Sequence, residues 1–255
     1  MTRRTLLVPV LAVTGLVALT SCATLGLEHP PTARQALPTV TPSSARPSAP
    51  VTTPVLTDAQ AHEALISDVD LGEPWTPTRG TATWRDGMLK AATPTADCQK
   101  LLDSLYADEL LGAPAQAVVA LDDADTGAQL RYQVTDRRPA DVDRVLAWMR
   151  TLPQKCARFT AKTPDGTVLD ATVAEQPLPE VGDARQGLRV TVTNWDTDGD
   201  PVALALDVAV VRAGQDTFAL TNGGLDAVPN EATQAAVQLG VQRLTDVRKQ
   251  GRVQV

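Results

Sequence analysis

The chain has 255 residues, with 30 acidic and 23 basic side chains and a formal charge of −7 at neutral pH. All but one of the acids and all but four of the bases fall within residues 57–255, so that segment carries −10 by itself. An acidic excess spread along the sequence excludes a nucleic-acid binder, whose phosphate partner demands a basic surface, and argues against broad contact with anionic lipid headgroups.

At the N-terminus, Arg3 and Arg4 precede an apolar run from Leu6 to Leu19, followed by Thr20-Ser21-Cys22. A basic stretch, a hydrophobic stretch and small residues at a boundary form an export signal. The run is shorter than the ~20 apolar residues needed to cross a bilayer and is interrupted by Pro9 and Gly15, which favours a cleaved leader over a membrane span. Leu19-Thr20-Ser21-Cys22 resembles the lipobox of bacterial lipoproteins. That resemblance implies cleavage before Cys22, a diacylglyceryl group on its thiol, and attachment to the extracytoplasmic face of the cell membrane. Several acyl chains together hold a protein firmly where one holds it marginally. Thr2 to Leu7 also loosely resembles a twin-arginine signal, so the export route stays open.

With 1–21 read as signal, residues 22–56 are dense in Pro, Ser, Thr and Ala and lack a sustained apolar pattern. Such a stretch cannot repay its ordering entropy by burial, and its prolines favour extended conformations. The expectation is a disordered tether, followed by one domain over 57–255, a length sufficient for a single sizeable core.

Within that domain, Thr57 or Asp58 caps a short helix running to Ile66, and Asp68 to Trp75 is a turn whose tryptophan docks onto the core. Residues 76–94 have no clear period. A helix follows from Thr95 or Asp97 to Tyr106, with Cys98, Leu101, Leu102 and Leu105 on one face. Ala115–Leu121 and Ala128–Val134 read as strands about a polar turn. Pro139 opens a helix to Met149, with Cys156 just beyond it. Strands are expected at Phe159–Ala161, Thr167–Ala174, Leu188–Trp195 and Val202–Val211. Another hairpin covers Val211–Leu220, together making an antiparallel meander. Pro229–Asp246 is a long amphipathic helix, and residues 248–252 read as a frayed basic tail. The fold class is α+β: a central antiparallel sheet packed by several helices, the last of them long.

Export assigns the three cysteines. Cys22 takes the lipid, and Cys98 and Cys156 remain as an even pair in an oxidising compartment, which reads as a structural disulfide. The alternative, two free thiols at a redox or metal site, lacks a CxxC motif or a histidine cluster to support it. The acidic runs Asp122–Gly127 and Asp196–Asp200 invite a calcium reading. The first, however, lacks the twelve-residue register and terminal bidentate glutamate of a calcium loop, and both suit solvated hairpin turns. No metal and no cofactor is expected.

Only His62 lies in the domain, which rules out a three-histidine zinc centre and leaves one candidate base for a serine triad. No GxSxG, HExxH, P-loop or dinucleotide fingerprint occurs, so no catalytic residue is expected. Carboxylate-only hydrolysis is the reading that needs no short motif.

The helix leading to Asp70-Leu71-Gly72, the Cys98 helix and the Val142–Met149 helix before Cys156 resemble the extracytoplasmic sensor-like domain of actinobacteria. So do Gly182-Asp183 before a strand, the Val208–Phe218 hairpin and the final helix with Gln242-Arg243-Leu244. That domain occurs in exported lipoproteins and in the external part of one group of receptor serine/threonine kinases. Its members carry a second disulfide for which this chain has no cysteines. The resemblance implies a central antiparallel sheet with a ligand cleft and no catalytic residues. The expected role is a non-enzymatic, lipid-anchored envelope protein binding a small amphipathic ligand or an envelope protein. The alternatives are a structural or accessory lipoprotein, and a carboxylate-dependent hydrolase. A concave sheet face beside the last helix is the expected cleft, with Trp195 either a ligand contact or a strand-end core residue.

Overall fold

A computed structural model describes residues 55–195, 198–225 and 228–253, with side chains to Gly251. Cys22, the signal and the expected tether up to residue 54 lie outside the described residues, as does Asp196; Leu56, expected in the tether, is instead buried in the core, its carbonyl accepting from Gln116. The domain opens with α1 (Asp58–Glu63) and α2 (Asp68–Leu71), each started by a reciprocal capping box: Thr57 with Gln60, and Ser67 with Asp70. The stretch expected as a turn therefore contains a one-turn helix. Strand β1 (Trp75–Pro77) and a π-helical turn (Arg85–Leu89) occupy the region without a sequence period.

Helix α3 (Ala96–Tyr106) buries Cys98, Leu101, Leu102 and Leu105, the face read from the sequence. Strands β2 (Ala117–Asp123) and β3 (Gln129–Thr135) form the first hairpin. Helix α4 (Pro139–Lys155) runs beyond the expected end at Met149, through Pro153. The added turn buries Leu152 and makes Cys156 the C-terminal cap. Strands β4 (Phe159–Lys162), β5 (Val168–Glu175), β6 (Ala184–Trp195), β7 (Pro201–Ala213) and β8 (Asp216–Leu225) form the meander.

Helix α5 (Asn230–Val253) completes the fold and corrects the frayed tail. Residues 248–251 are helical, and Arg248 ion-pairs with Asp216 at the start of β8. Among the described residues, no helix is long and apolar enough to cross a membrane.

The strands make one antiparallel sheet in the order β1-β2-β3-β8-β7-β6-β5-β4. Pairing of β3 with β8 welds the early hairpin to the late meander. Side chains alternate between two cores. On one face Val190, Val192, Leu204, Leu206, Val208 and Val210 pack with α3 and α4. On the other, Tyr132, Phe218, Leu220 and Val211 pack with α5 residues including Ala236, Val237 and Leu244.

Cys98 and Cys156 are joined by a disulfide with Cα atoms 5.7 Å apart, tying α3 to the end of α4. Both sheet edges are short. β1 has three residues and ends in proline, and Ala92 forms an isolated bridge to Lys162 on β4 through two 2.8 Å hydrogen bonds.

Candidate functional site

Helix α5 packs over β7 and β8, and α4 covers β5, β6 and β7 on the opposite face. Among the described residues, the α5 side of β5 and β6 is thereby left uncovered, and its residues follow from the strand period of two. The register sets Thr160, Asp170, Thr193 and Ala203 in one row, and Thr172, Thr191 and Ala205 in the next. A third row holds Ala174, Arg189, Asp207 and Asn222. Trp195, two residues beyond Thr193, pairs with Pro201 at the open end. The indole is 55% exposed, so Trp195 is not the strand-end core residue that was one sequence alternative.

The other end of this face is closed by the loop after β5. Gln176 donates from its backbone to the Gly187 carbonyl at 3.1 Å and from its side chain to Asn230 at 2.6 Å. Gln234 of α5 donates to the Pro177 carbonyl at 2.8 Å. A Cβ at residue 187 would stand 2.3 Å from the Gln176 carbonyl oxygen, so only glycine lets the loop cross β6 this closely.

Beneath that loop, Arg189 donates to fully buried Asp207 at 2.6 Å. Thr233 of α5 donates to the other Asp207 oxygen at 2.9 Å, and the Asn222 amide donates to Thr233 and to the Pro229 carbonyl, both at 3.2 Å. A buried carboxylate is tolerable only when paired and hydrogen-bonded in this way. The Arg189 side chain remains 30% exposed. A guanidinium carries five N–H donors, so Arg189 keeps donors for a second partner.

The face thus runs from a cation to an indole, six residues or roughly 20 Å apart along β6, with threonine hydroxyls between them. Sequence reasoning reached Trp195 but missed Arg189, Asp207, Asn222 and Thr233. The available signal was Asp207, a lone acid inside the apolar run Val202–Val211.

Elsewhere a cleft of about 520 Å³ lies between the β7–β8 turn and the last turns of α5. Its two carboxylates are already engaged. Asp216 pairs with Arg248; Asp183 accepts from the Gly214 N–H at 2.6 Å and lies 3.8 Å from Arg212.

Four carboxylates are displaced from their ordinary range, all downward. At Asp70, burial pushes the carboxyl up, but hydrogen bonds from Ser67 and Arg243 together outweigh it. Lys155 and then Trp148 hold Asp97 down, Arg138 holds Asp141, and Thr163 holds Asp165.

The acidic turn after β2 is organised by Asp123, which accepts from the N–H groups of Asp125 and Thr126. Among the described residues, no group of three or more His, Cys, Asp or Glu is placed to hold a metal ion. His62 is exposed, its Nδ1 2.8 Å from the Asp58 carbonyl oxygen.

These features define an α+β protein with one uncovered half-face on its sheet. No family model matches the chain, and no curated protein matches it. Among solved structures it is similar to the extracellular domain of PknH from Mycobacterium tuberculosis. The identity is 14%, covering 77% of this chain and 98% of that one, with a TM-score of 0.44. It is also similar to the hypothetical protein jhp0584 from Helicobacter pylori, at 16% identity over 45% of this chain and 83% of that one, with a TM-score of 0.28.

Proposed function

We propose that this is a lipid-anchored, extracytoplasmic binding protein that holds an elongated amphipathic ligand on the uncovered half of its sheet without transforming it. The observation that carries the reading is the placement of exposed Trp195 and half-exposed Arg189 at opposite ends of one polar, helix-free face. The indole offers flat apolar surface, the guanidinium recognises an anionic group, and the threonines supply hydroxyls between them. Anchoring rests on the Leu19–Cys22 pattern, with residues 22–54 as the tether.

Two measurements test it. Expression of the full chain with labelled palmitate should label the protein, and Cys22→Ala should abolish the label. Dodecyl phosphate, titrated below its micelle concentration, should shift tryptophan emission to the blue; Trp195→Phe should remove the shift, and Arg189→Met/Asp207→Leu, which leaves no stranded buried anion, should weaken binding. An unchanged shift in Trp195→Phe would place the ligand elsewhere and defeat the assignment of this face.

A further inference from the structure

Away from the uncovered sheet face, a cleft of about 410 Å³ opens between the segment after the π-helical turn, the end of α3 and the end of β4. We infer that it is a second, independent binding site, for a flat aromatic carboxylate. Its volume falls within the range of small-molecule pockets, which are mostly apolar with few polar groups. Leu89, only 1% exposed, forms part of the floor, and Tyr106 and Pro164 contribute flat apolar surface.

The walls are held in place before any ligand arrives. The two hydrogen bonds between Ala92 and Lys162 fasten the Lys90–Ala92 segment to β4. The Tyr106 hydroxyl donates to Asp86 at 3.0 Å, fixing the ring. The Thr163 hydroxyl donates to Asp165, its N–H donates to the Thr167 carbonyl at 3.0 Å, and the Gly166 N–H donates to the Thr163 carbonyl at 3.0 Å, setting the turn that carries Pro164. Pre-formed walls spare a ligand the cost of ordering them.

Charge selects the ligand. Lys90 and Lys162, both exposed, line the cleft, and the Lys90 ammonium stands 5.9 Å from the Tyr106 ring centroid. The one carboxylate in the lining, Asp103, already accepts from Gln99 at 2.7 Å. Two cations above an aromatic and aliphatic floor suit an anion with a planar apolar body. They disfavour a cation, and a neutral molecule would gain nothing from either charge.

The test is calorimetric titration of naphthoate into the full chain, against a matched detergent blank, with naphthalenemethanol as the uncharged counterpart. Naphthoate should saturate one site, and the alcohol should bind roughly tenfold or more weakly. The exposed-lysine variant Lys90→Glu/Lys162→Glu should lose at least as much, with thermal unfolding unchanged. Trp195→Phe should leave naphthoate binding intact, separating this cleft from the sheet face. Equal binding of acid and alcohol, unchanged affinity in the double variant, loss of binding in Trp195→Phe, or no saturation by naphthoate would each overturn the assignment.

Discussion

The hydroxyl of Thr233, one turn into α5, donates at 2.9 Å to the carboxylate of Asp207 at the centre of β7. Asp207 is fully buried, and its other oxygen takes Arg189. Helix and sheet are therefore joined by a charge that each side helps to solvate. Arg189→Met should destabilise the fold by about 3–5 kcal/mol, because it strands a buried anion. Arg189→Met/Asp207→Leu should recover much of that loss. Urea unfolding of the three proteins checks both expectations.

Gly240 sits in α5 where a Cβ would lie 2.8 Å from Phe218 Cζ and 2.9 Å from the Tyr132 hydroxyl. Alanine favours a helix interior over glycine by roughly 1 kcal/mol, yet Gly240→Ala should destabilise the protein, by about 1–3 kcal/mol of overpacking. The Tyr132 hydroxyl is buried, finds no hydrogen-bond partner among the described residues, and is pushed well above the usual tyrosine range by burial. Tyr132→Phe should consequently stabilise the fold by about 1 kcal/mol or more and partly rescue Gly240→Ala. Thermal melts of the single and double variants decide this.

Asp70 links α2 to α5 through Arg243, and its folded carboxyl lies below the ordinary 3.8. A depressed folded value means that the unfolded chain takes up its proton first as pH falls. Stability from this group is present in full above the ordinary value and is lost as pH drops through the folded one. Asp70→Asn should lower stability at neutral pH and flatten the acid limb as pH falls below the ordinary 3.8. Unfolding midpoints measured from neutral pH into the acid limb provide the check.

Much of this architecture was legible because it is periodic. Cys98, Leu101, Leu102 and Leu105 mark a helix face by spacing alone, and alternation in 188–195 and 202–211 marks strands. The β3–β8 pairing carries no local signal, since it depends on which of several equivalent edges meet. The expected end of α4 at Met149 fell short because Leu152, which the longer helix buries, lies in a stretch whose only local signal is Pro153, a residue that disfavours helix. For the candidate face, Trp195 stood out as an aromatic beside a turn. Arg189 and Thr233 are ordinary residues in their own segments and gain meaning only from their contact with Asp207.

Both cysteines of the disulfide are fully buried. Cys98→Ser/Cys156→Ser, or reduction under mild denaturant, should cost about 2–5 kcal/mol and loosen α3 and α4 before the α5 side of the sheet. Hydrogen exchange resolved by segment should show α3 amides losing protection first. Uniform loss across both faces would contradict this.

The short sheet edges bear on how copies of this molecule meet. A long antiparallel sheet with a free border is a template onto which a neighbour can zip its own backbone, and crowding raises the chance of that event. Here one border is a three-residue strand ending at Pro77, and the other is fastened to Ala92. Densely packed copies therefore find little free backbone to zip onto.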